Sequence, residues 1–263
     1  MRIGVAQMEP HVCESEYNLK HLSEILKKAD SEDVDVLVIP ELANSGYAFN
    51  SLKEVEKSAE EIPSGIFSNQ LLEWSGNERL VVAGICEKKN GRLYNSAGIF
   101  SNGKLMEVYR KIHLFSEEKR WFTPGSVEPP VVRHGEYNFG IMICWDWIFP
   151  EVSRILTLKG AQVVLHPANL VLAYCQAAMV TRSIENGIFT ATANRIGTER
   201  ELMFSGKSQI TDTRGKVLIS MPDGITGVYS ADISPSEADN KHMTKKNHLL
   251  NDRRPDLYSR IAT

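Results

Sequence analysis

The segment FGIMICWDWIFPE, residues 139–151, brings a cysteine to the end of an apolar run. Cys144 follows residues that suit a buried strand, and an acidic and aromatic sequence comes directly after it. A cysteine in this place is often a small buried hydrophobe. It becomes a nucleophile where a neighbouring group takes its proton. Cys86 has a similar setting but no comparable motif behind it, so Cys144 is the candidate nucleophile.

Two charged residues stand in corresponding positions, each at the end of a predicted strand. Glu41 directly follows DVLVIP, and Lys111 ends KLMEVYRK. A carboxylate desolvated at a strand end has a raised pKa and suits the work of a general base. A fixed ammonium in such a place stabilises a developing oxyanion. The alternative for each residue is a solvated surface charge.

Two histidines offer the cysteine a different partner. His113, in RKIHLF, and His166, in VVLHPAN, lie near the ends of predicted strands. Either would complete a Cys-His pair of the protease type, or would be an ordinary hydrogen-bonded loop histidine. Metal binding is not indicated, because the chain has no HExxH motif and no paired Cys and His spacing.

Short apolar segments at regular spacing form the scaffold that must position these residues. Strand 2–7, helix 15–30 and strand 35–40 make one β-α-β unit, since the apolar residues of the middle segment recur at helical spacing. Further strands are predicted at 78–87, 93–101, 103–111, 139–145, 162–167, 188–195 and 227–233, a hairpin at 206–220, and helices at 149–161 and 176–187. The pattern predicts an α/β protein. Ligands of open α/β sheets bind beyond the carboxyl ends of strands, where Glu41, Lys111 and Cys144 would converge if their strands are neighbours.

Composition and charge narrow the classes of function. The 263 residues carry 30 Lys plus Arg against 33 Asp plus Glu, a formal charge of −3, which gives no electrostatic case for nucleic acid or an acidic membrane. No apolar run reaches the ~18 residues of a membrane helix, and MRIGVAQMEP lacks the pattern of a signal peptide. The 4 cysteines form no CxxC pair. We therefore expect a cytoplasmic protein with reduced thiols.

The three motifs, in this order along the chain, resemble the catalytic motifs of the nitrilase superfamily of carbon–nitrogen hydrolases. They are PELANSGY around Glu41, YRKIHLF around Lys111 and ICWDWIFPE around Cys144. Other segments agree with that family: VAQMEP, EEKRWFTPG, LKGAQVVLHPAN, RSIENG, ANRIG and FSGKSQITDTRG. Together these segments extend over nearly the whole chain.

The resemblance implies a four-layer α-β-β-α sandwich, formed by a single domain over residues 1–263. Members of the family usually form dimers through one helical face, so we expect a homodimer or a higher homo-oligomer. The polar stretch from about residue 234 is then either a surface extension or an arm that packs at the dimer interface.

The resemblance also implies a mechanism that needs no metal and no organic cofactor. Glu41 would take the proton of the Cys144 thiol, the thiolate would attack the substrate, and a thioester would remain on Cys144. Lys111 would favour the thiolate. Lys111 and the backbone N–H of Trp145 would stabilise the negative charge that builds on the substrate.

Three further positions are assigned by the same resemblance. Glu118 is the best fit to the family's second glutamate, which would position the substrate and bind Lys111, and Glu117 is its competitor. Trp147 would either line the pocket or pack as an ordinary aromatic residue. Asn169 would either bind substrate or shape its loop.

The reaction implied is the hydrolysis of a small amide or carbamoyl amine to an acid and ammonia. Asp146, two residues after the cysteine, resembles the amidase and carbamoyl-amidase branches more than the typical nitrilases, which usually carry CWE. The segment HPANLV and the aromatic cluster after Cys144 look like small members that act on short aliphatic nitriles or amides. An aliphatic nitrilase is therefore an alternative to the amidase.

Overall fold

Two six-stranded sheets make up most of the fold. The structure is a computed structural model and describes residues 1–262. Its strands are β1 (Arg2–Gln7), β2 (Val36–Ile39), β3 (Leu80–Lys89), β4 (Arg92–Ser101), β5 (Lys104–Arg110), β6 (Val131–His134), β7 (Tyr137–Ile141), β8 (Val163–Pro167), β9 (Phe189–Ala193), β10 (Thr198–Glu199), β11 (Leu202–Met203), β12 (Gln209–Thr211), β13 (Val217–Ser220) and β14 (Gly227–Asp232). Its α-helices are α1 (Ser15–Ser31), α2 (Leu52–Ser58), α3 (Ile66–Trp74), α4 (Glu118–Trp121), α5 (Pro150–Leu158) and α6 (Cys175–Asn186), and 3₁₀ turns cover Cys144–Ile148, Pro235–Asp239, Pro255–Leu257 and Ser259–Ala262. None of the helices in residues 1–262 is long and apolar enough to cross a membrane.

Each sheet contains three parallel strands flanked by antiparallel ones. The first sheet has the order β14-β1-β2-β3-β4-β5, and β1, β2 and β3 are parallel. The second has the order β13-β12-β9-β8-β7-β6, and β7, β8 and β9 are parallel. A parallel bridge between Met8 and Arg195 joins the ends of β1 and β9. The carboxyl ends of both parallel groups therefore lie at the same end of the molecule.

Helices cover the outer faces of both sheets, which makes four layers. Alternate residues of β2 show this: Val36 and Val38 belong to the core between the sheets, whereas Leu37 and Ile39 pack in the cluster that contains α1 and α3. On the other side, α5 and α6 contact β7, β9 and β12. Burial on both faces explains why the parallel strands read as continuous apolar runs. The predicted α-β-β-α sandwich is confirmed.

The strand predicted at 139–145 is too long, because β7 ends at Ile141. The Asp146 carboxylate accepts a hydrogen bond from the Ile143 N–H at 2.9 Å, and Cys144 has a φ of +38°. The chain therefore leaves the sheet before the cysteine, which begins a 3₁₀ turn instead of ending a strand. The hairpin predicted at 206–220 is confirmed, since β12 and β13 pair antiparallel around the turn after Thr211.

Several elements were not predicted from the sequence. Those with no predicted counterpart are α2, α3, α4, β6, β10 and β11. Helix α2, with the sequence LKEVEKS, buries only Val55 and Ser58, so it has no extended apolar stripe. Strand β6 is four residues long and lies at the edge of its sheet. Such short elements leave little periodicity to detect.

The C-terminal stretch after residue 234 packs on its own chain beside the second sheet. The Lys241 ammonium donates to the carbonyls of Asn186 and Gly187 at 3.1 and 2.9 Å, at the end of α6. Gln162 donates to Asp239 at 2.8 Å. These contacts fix the stretch against α6 within one chain, and its expected place at a dimer interface stays a prediction.

Gly84 in β3 lets the chain that carries Glu41 approach the sheet closely. A Cβ added at Gly84 would lie 2.2 Å from Cα of Glu41 and 2.7 Å from the backbone nitrogen of Leu42. Because backbone cannot swing aside, we expect Gly84→Ala to reduce the free energy of unfolding by about 3 kcal/mol, the upper range for overpacking. Urea denaturation measures this loss.

Gly140→Ala in β7 is the matched control, since its added Cβ would meet only side chains of Ala161 and Leu156 at 3.1 Å. These contacts at 3.1 Å need a much smaller displacement than the 2.2 Å contact at Gly84, so the loss should be smaller. If the two variants were equally stable, the close approach at Gly84 would not constrain the fold.

Candidate active site

A buried ammonium lies between two buried carboxylates at one end of the molecule. Lys111 Nζ donates to Glu41 Oε1 at 2.7 Å and to both oxygens of Glu118 at 2.8 and 2.9 Å. Glu41 and Lys111 have no exposed surface, and Glu118 has almost none. Within residues 1–262 no three His, Cys, Asp or Glu side chains are grouped to hold a metal ion. Both carboxylates here bind the ammonium.

Each member of this cluster leaves its own element where that element ends. Glu41 follows β2 and Pro40, and the next residue, Leu42, turns the chain with a φ of +49°. Lys111 follows β5, and its N–H donates to the Asn95 carbonyl at 2.9 Å, which continues the pairing with β4. Glu118 is the first residue of α4. Glu117 is exposed and pairs with Arg120, so the structure places Glu118 and not Glu117 at Lys111.

Cys144 lies on the second sheet's side of the same site. It has a φ of +38°, a strained value for a residue with a Cβ, and begins the 3₁₀ turn after β7. Its Sγ lies 3.7 Å from the carbonyl oxygen of Asn169. The first N–H groups of a helical turn have no acceptor inside the turn. The backbone N–H of Trp145 is therefore available beside the thiol.

Asn169 joins the two halves of the site. Its side-chain Nδ2 donates to the backbone carbonyl of Glu41 at 2.9 Å. The backbone carbonyl of Asn169 faces the Cys144 thiol. Asn169 Oδ1 is buried and has no hydrogen-bond partner within residues 1–262. The side-chain amide thus ties the segment of Glu41 to the segment of Cys144, as expected for a residue that shapes its loop.

The Asp146 carboxylate holds the turn that presents the cysteine. It accepts from the Ile143 N–H at 2.9 Å and from the Tyr109 hydroxyl at 2.8 Å, and His113 Nδ1 lies 2.8 Å from its other oxygen. Asp146 is fully buried. These partners belong to the scaffold, so this carboxylate fixes the shape of the turn.

His166, in β8, contacts the backbone of the same turn. Its Nε2 lies 3.0 Å from the Cys144 carbonyl oxygen and its Nδ1 lies 3.1 Å from the Thr192 hydroxyl. Because a carbonyl only accepts, Nε2 carries the proton, and Nδ1 then accepts from Thr192. Burial lowers the pKa of His166 to about 4, which keeps the ring neutral. Of the two histidines considered for a Cys-His pair, His166 thus binds the Cys144 carbonyl and His113 binds Asp146.

Burial dominates the electrostatics of the site. It raises the pKa of Glu41 to about 7, and repulsion from Glu118 adds to the rise while Lys111 opposes it. Burial disfavours the charged form of Lys111, yet Glu118 and Glu41 outweigh it and raise the pKa of the ammonium. Burial and then Glu41 raise the pKa of the Cys144 thiol well above its ordinary value. At neutral pH the site therefore holds a thiol, an ammonium and a carboxyl near its titration midpoint.

A small apolar pocket lies over the thiol. Its lining residues are Phe115, Cys144, Trp145, Trp147, Asn169, Leu170, Val171 and Leu172. Its volume is about 10 Å³, which is roughly the room that one water molecule needs. The space directly beside the Cys144 thiol is therefore small. Trp145 and Trp147 pack edge to face, with ring centroids 5.9 Å apart, so both line the pocket and pack together.

Two further residues of the cluster were not predicted from the sequence. Asn95 Nδ2 donates to Glu41 Oε1 at 2.7 Å and to Glu118 Oε2 at 3.3 Å, and the Tyr47 hydroxyl donates to Glu118 Oε1 at 2.7 Å. The signal for Asn95 is an amide inside the strand LYNSAGIFS, whose other polar groups are the hydroxyls of Tyr94 and two serines. Tyr47 stands in the motif PELANSGY, but nothing in that motif indicates the direction of its ring.

Comparison with known proteins agrees with this geometry. The sequence profile of the carbon-nitrogen hydrolase family matches residues 2–242. A protein named nitrilase from Pyrococcus abyssi is 38% identical over 261 residues, covering 99% of this chain and 100% of the relative. A 2-oxoglutaramate amidase from Bacillus subtilis is 31% identical over 251 residues, covering 90% of this chain and 93% of the relative.

Solved structures give the same answer for the fold. A cysteine-to-alanine variant of the amidase from Nesterenkonia sp. AN1, in complex with butyramide, superposes with a TM-score of 0.81 at 25% identity, covering 99% of this chain and 96% of that one. The four-layer sandwich with its buried ammonium, carboxylates and thiol is that of a hydrolytic enzyme. This chain belongs to the carbon–nitrogen hydrolase family, within the nitrilase superfamily.

The bonds of Asp146 predict a specific loss on substitution. We expect Asp146→Asn to lower the free energy of unfolding by about 1–3 kcal/mol, because the amide nitrogen would face donors and leave a buried group unsatisfied. Tyr109→Phe removes one of the three donors and should cost less, about 1 kcal/mol. Urea denaturation at pH 7 compares the two variants. Wild-type stability for Asp146→Asn would contradict the role of this carboxylate in the turn.

Proposed function

We propose that this enzyme hydrolyses small amides to a carboxylic acid and ammonia through a thioester on Cys144. The observation that carries the proposal is the buried Lys111 ammonium between Glu41 and Glu118, beside a cysteine at the start of a helical turn. This set of groups supplies a nucleophile, a base and a fixed positive charge, which are the needs of acyl transfer.

In the first step Glu41 acts as the general base. A carboxyl with a pKa of about 7 is partly ionised at neutral pH and is then a stronger base than a solvated glutamate. It takes the proton of the Cys144 thiol, whose own pKa is too high for spontaneous ionisation. The thiolate sulfur then forms a bond to the carbonyl carbon of the amide, and the carbonyl π electrons move to oxygen.

Lys111 and the backbone N–H of Trp145 stabilise that oxyanion. An ammonium has three N–H donors, and Glu118 engages Lys111 through both of its oxygens. Release of one of these two contacts frees a donor for the substrate. As the tetrahedral intermediate collapses, the carbon–nitrogen bond breaks and protonated Glu41 gives its proton to the leaving ammonia.

The second half of the reaction repeats the first with water. Glu41, again ionised, takes a proton from a water molecule, whose oxygen attacks the thioester carbon. The carbon–sulfur bond breaks, the sulfur recovers a proton from Glu41, and the acid leaves. Glu118 holds Lys111 and the substrate in place.

The pocket supports a small, uncharged acyl group. Its side chains beside Cys144 are aromatic or aliphatic, with Asn169 as the polar exception. Carbamoyl amines have the same carbonyl–nitrogen bond and are a second candidate class. Nitriles are the alternative electrophile, supported by the relative from Pyrococcus abyssi that is named nitrilase.

Ammonia release from a panel of short amides, carbamoyl amines and nitriles tests the assignment. We expect Cys144→Ala to abolish release, and Glu41→Gln to lower kcat by about 10³-fold, because the general base is lost. His113→Gln and His166→Gln should lower it far less. Mass spectrometry of wild-type enzyme quenched during turnover should show an acyl group on Cys144.

Three results would contradict the proposal. Equal release by wild type and Cys144→Ala would remove the cysteine from the mechanism. Loss of activity in either histidine variant, with Glu41→Gln still active, would favour the Cys-His hydrolase. Release from nitriles alone would make the enzyme an aliphatic nitrilase with the same catalytic groups.

The pH profile should follow the titration of Glu41. Since Glu41 must be ionised to accept a proton, kcat/KM should rise with pH to a plateau, with its midpoint at about pH 7. The Asn95 amide lowers the pKa of Glu41 by hydrogen bonding. Asn95→Leu should therefore move the midpoint to higher pH.

Glu117→Gln is the matched control for the pH profile, because Glu117 is exposed and paired with Arg120. Its profile should coincide with that of the wild type. A midpoint that stayed in place in Asn95→Leu would show that Glu41 is not the titrating group.

A further inference from the structure

Arg195 and Glu199 form a second buried ion pair, in the segment that follows β9. Arg195 Nη1 lies 3.2 Å from Glu199 Oε2, and both side chains are almost fully buried. Arg195 Nη2 also donates to the Pro10 carbonyl at 2.6 Å, and its guanidinium lies 4.0 Å from the centre of the Phe204 ring. The arginine is thereby held by contacts from the segment of Pro10 and from the hairpin that carries Glu199 and Phe204.

The Glu199 carboxylate binds the backbone of the loop that follows Glu41. Its Oε2 accepts from the N–H groups of Tyr47 and Ala48, both at 2.7 Å. Gly46 permits this approach, because a Cβ there would lie 2.6 Å from Glu199 Oε1 and the residue has a φ of +74°. A charged acceptor that receives two backbone N–H groups fixes the position of a loop more firmly than a neutral one.

The same loop supplies the hydroxyl that supports Glu118. Tyr47 Oη donates to Glu118 Oε1 at 2.7 Å, and its ring packs edge to face on Phe204, with centroids 5.9 Å apart. Glu118 in turn holds Lys111. One continuous series of contacts therefore runs from Arg195 and Glu199 to the buried ammonium.

We propose that Glu199 is a positioning residue for catalysis, which fixes the backbone of Tyr47 so that its hydroxyl holds Glu118 against Lys111. The proposal rests on the proposed function, because Glu199 acts through Glu118. Glu199 touches neither the substrate pocket nor the thiol. Its effect on catalysis passes through the Tyr47 hydroxyl. Removal of that hydroxyl leaves the apolar contacts of the ring unchanged.

A double-mutant cycle with Glu199→Gln and Tyr47→Phe tests this series. We expect each single variant to lower kcat/KM by about 10–100-fold, the range for a displaced catalytic group. In the Tyr47→Phe background, Glu199→Gln should lower kcat/KM by less than about threefold further, since coupled residues are not additive. The acid limb of the pH profile should move to the same pH in both single variants.

Thermal unfolding separates positioning from simple stability. Glu199→Gln should lower the melting temperature by the same amount in the wild type and in Tyr47→Phe. Its effect on kcat/KM should disappear in Tyr47→Phe. Glu201→Gln, an exposed residue of the same hairpin, is the matched control and should have wild-type activity. If Glu199→Gln does not fold, Glu199→Asp, which keeps the charge and shortens the reach, takes its place in the cycle.

The outcomes distinguish this proposal from the proposed function. Effects of Glu199→Gln and Tyr47→Phe that multiply in the double variant would overturn the positioning role. Full activity of Glu199→Gln, with Glu118→Gln inactive, would do the same and leave the amidase mechanism intact. Full activity of Glu118→Gln and Cys144→Ala would instead overturn the proposed function itself.

Discussion

The ammonium of Lys111, buried between two carboxylates, is the interaction on which the active site depends. Taking charged groups out of water is costly unless each finds a close partner. Here one cation faces Glu41 and Glu118. Burial raises the pKa of Glu41 to about 7, Lys111 opposes that rise, and repulsion from Glu118 adds to it. A carboxyl with this pKa can receive and return a proton, because either protonation state is accessible at neutral pH.

The site exists only because two sheets meet with their parallel strands in the same direction. Glu41 and Lys111 come from the first sheet, and Cys144 comes from the second. Asn169 links the two sheets. Its side-chain amide donates to the backbone carbonyl of Glu41, and its backbone carbonyl faces the Cys144 thiol. The apolar core between the sheets therefore holds the segments of Glu41 and Cys144 together. A shift of one sheet against the other would move Cys144 relative to Glu41 and Lys111.

The sequence predicts the fold class and the place of the charged groups because strand ends are visible as apolar runs that stop. Glu41 and Cys144 each follow such a run, whereas Lys111 ends the predicted strand KLMEVYRK, which is half charged. Side-chain direction is not visible in this way, so Asn95 and Tyr47 were missed even though their segments were recognised. The strand before Cys144 was predicted too long, since the competing bond from Asp146 to the Ile143 N–H depends on the folded turn.

Asp146 shows how a sequence signal and a physical role can differ. Its resemblance to amidase sequences favoured amide substrates, yet its carboxylate binds Ile143, Tyr109 and His113 and faces the scaffold. Any influence on substrate choice must therefore act through the shape of the turn, which sets the direction of the thiol and of the Trp145 N–H. A glutamate at this position would be one methylene longer and would need the same donors at a different distance. We expect the choice between a carbonyl and a nitrile to depend on whether the turn aims its N–H at an oxygen beside the attacked carbon or along the axis of a linear group.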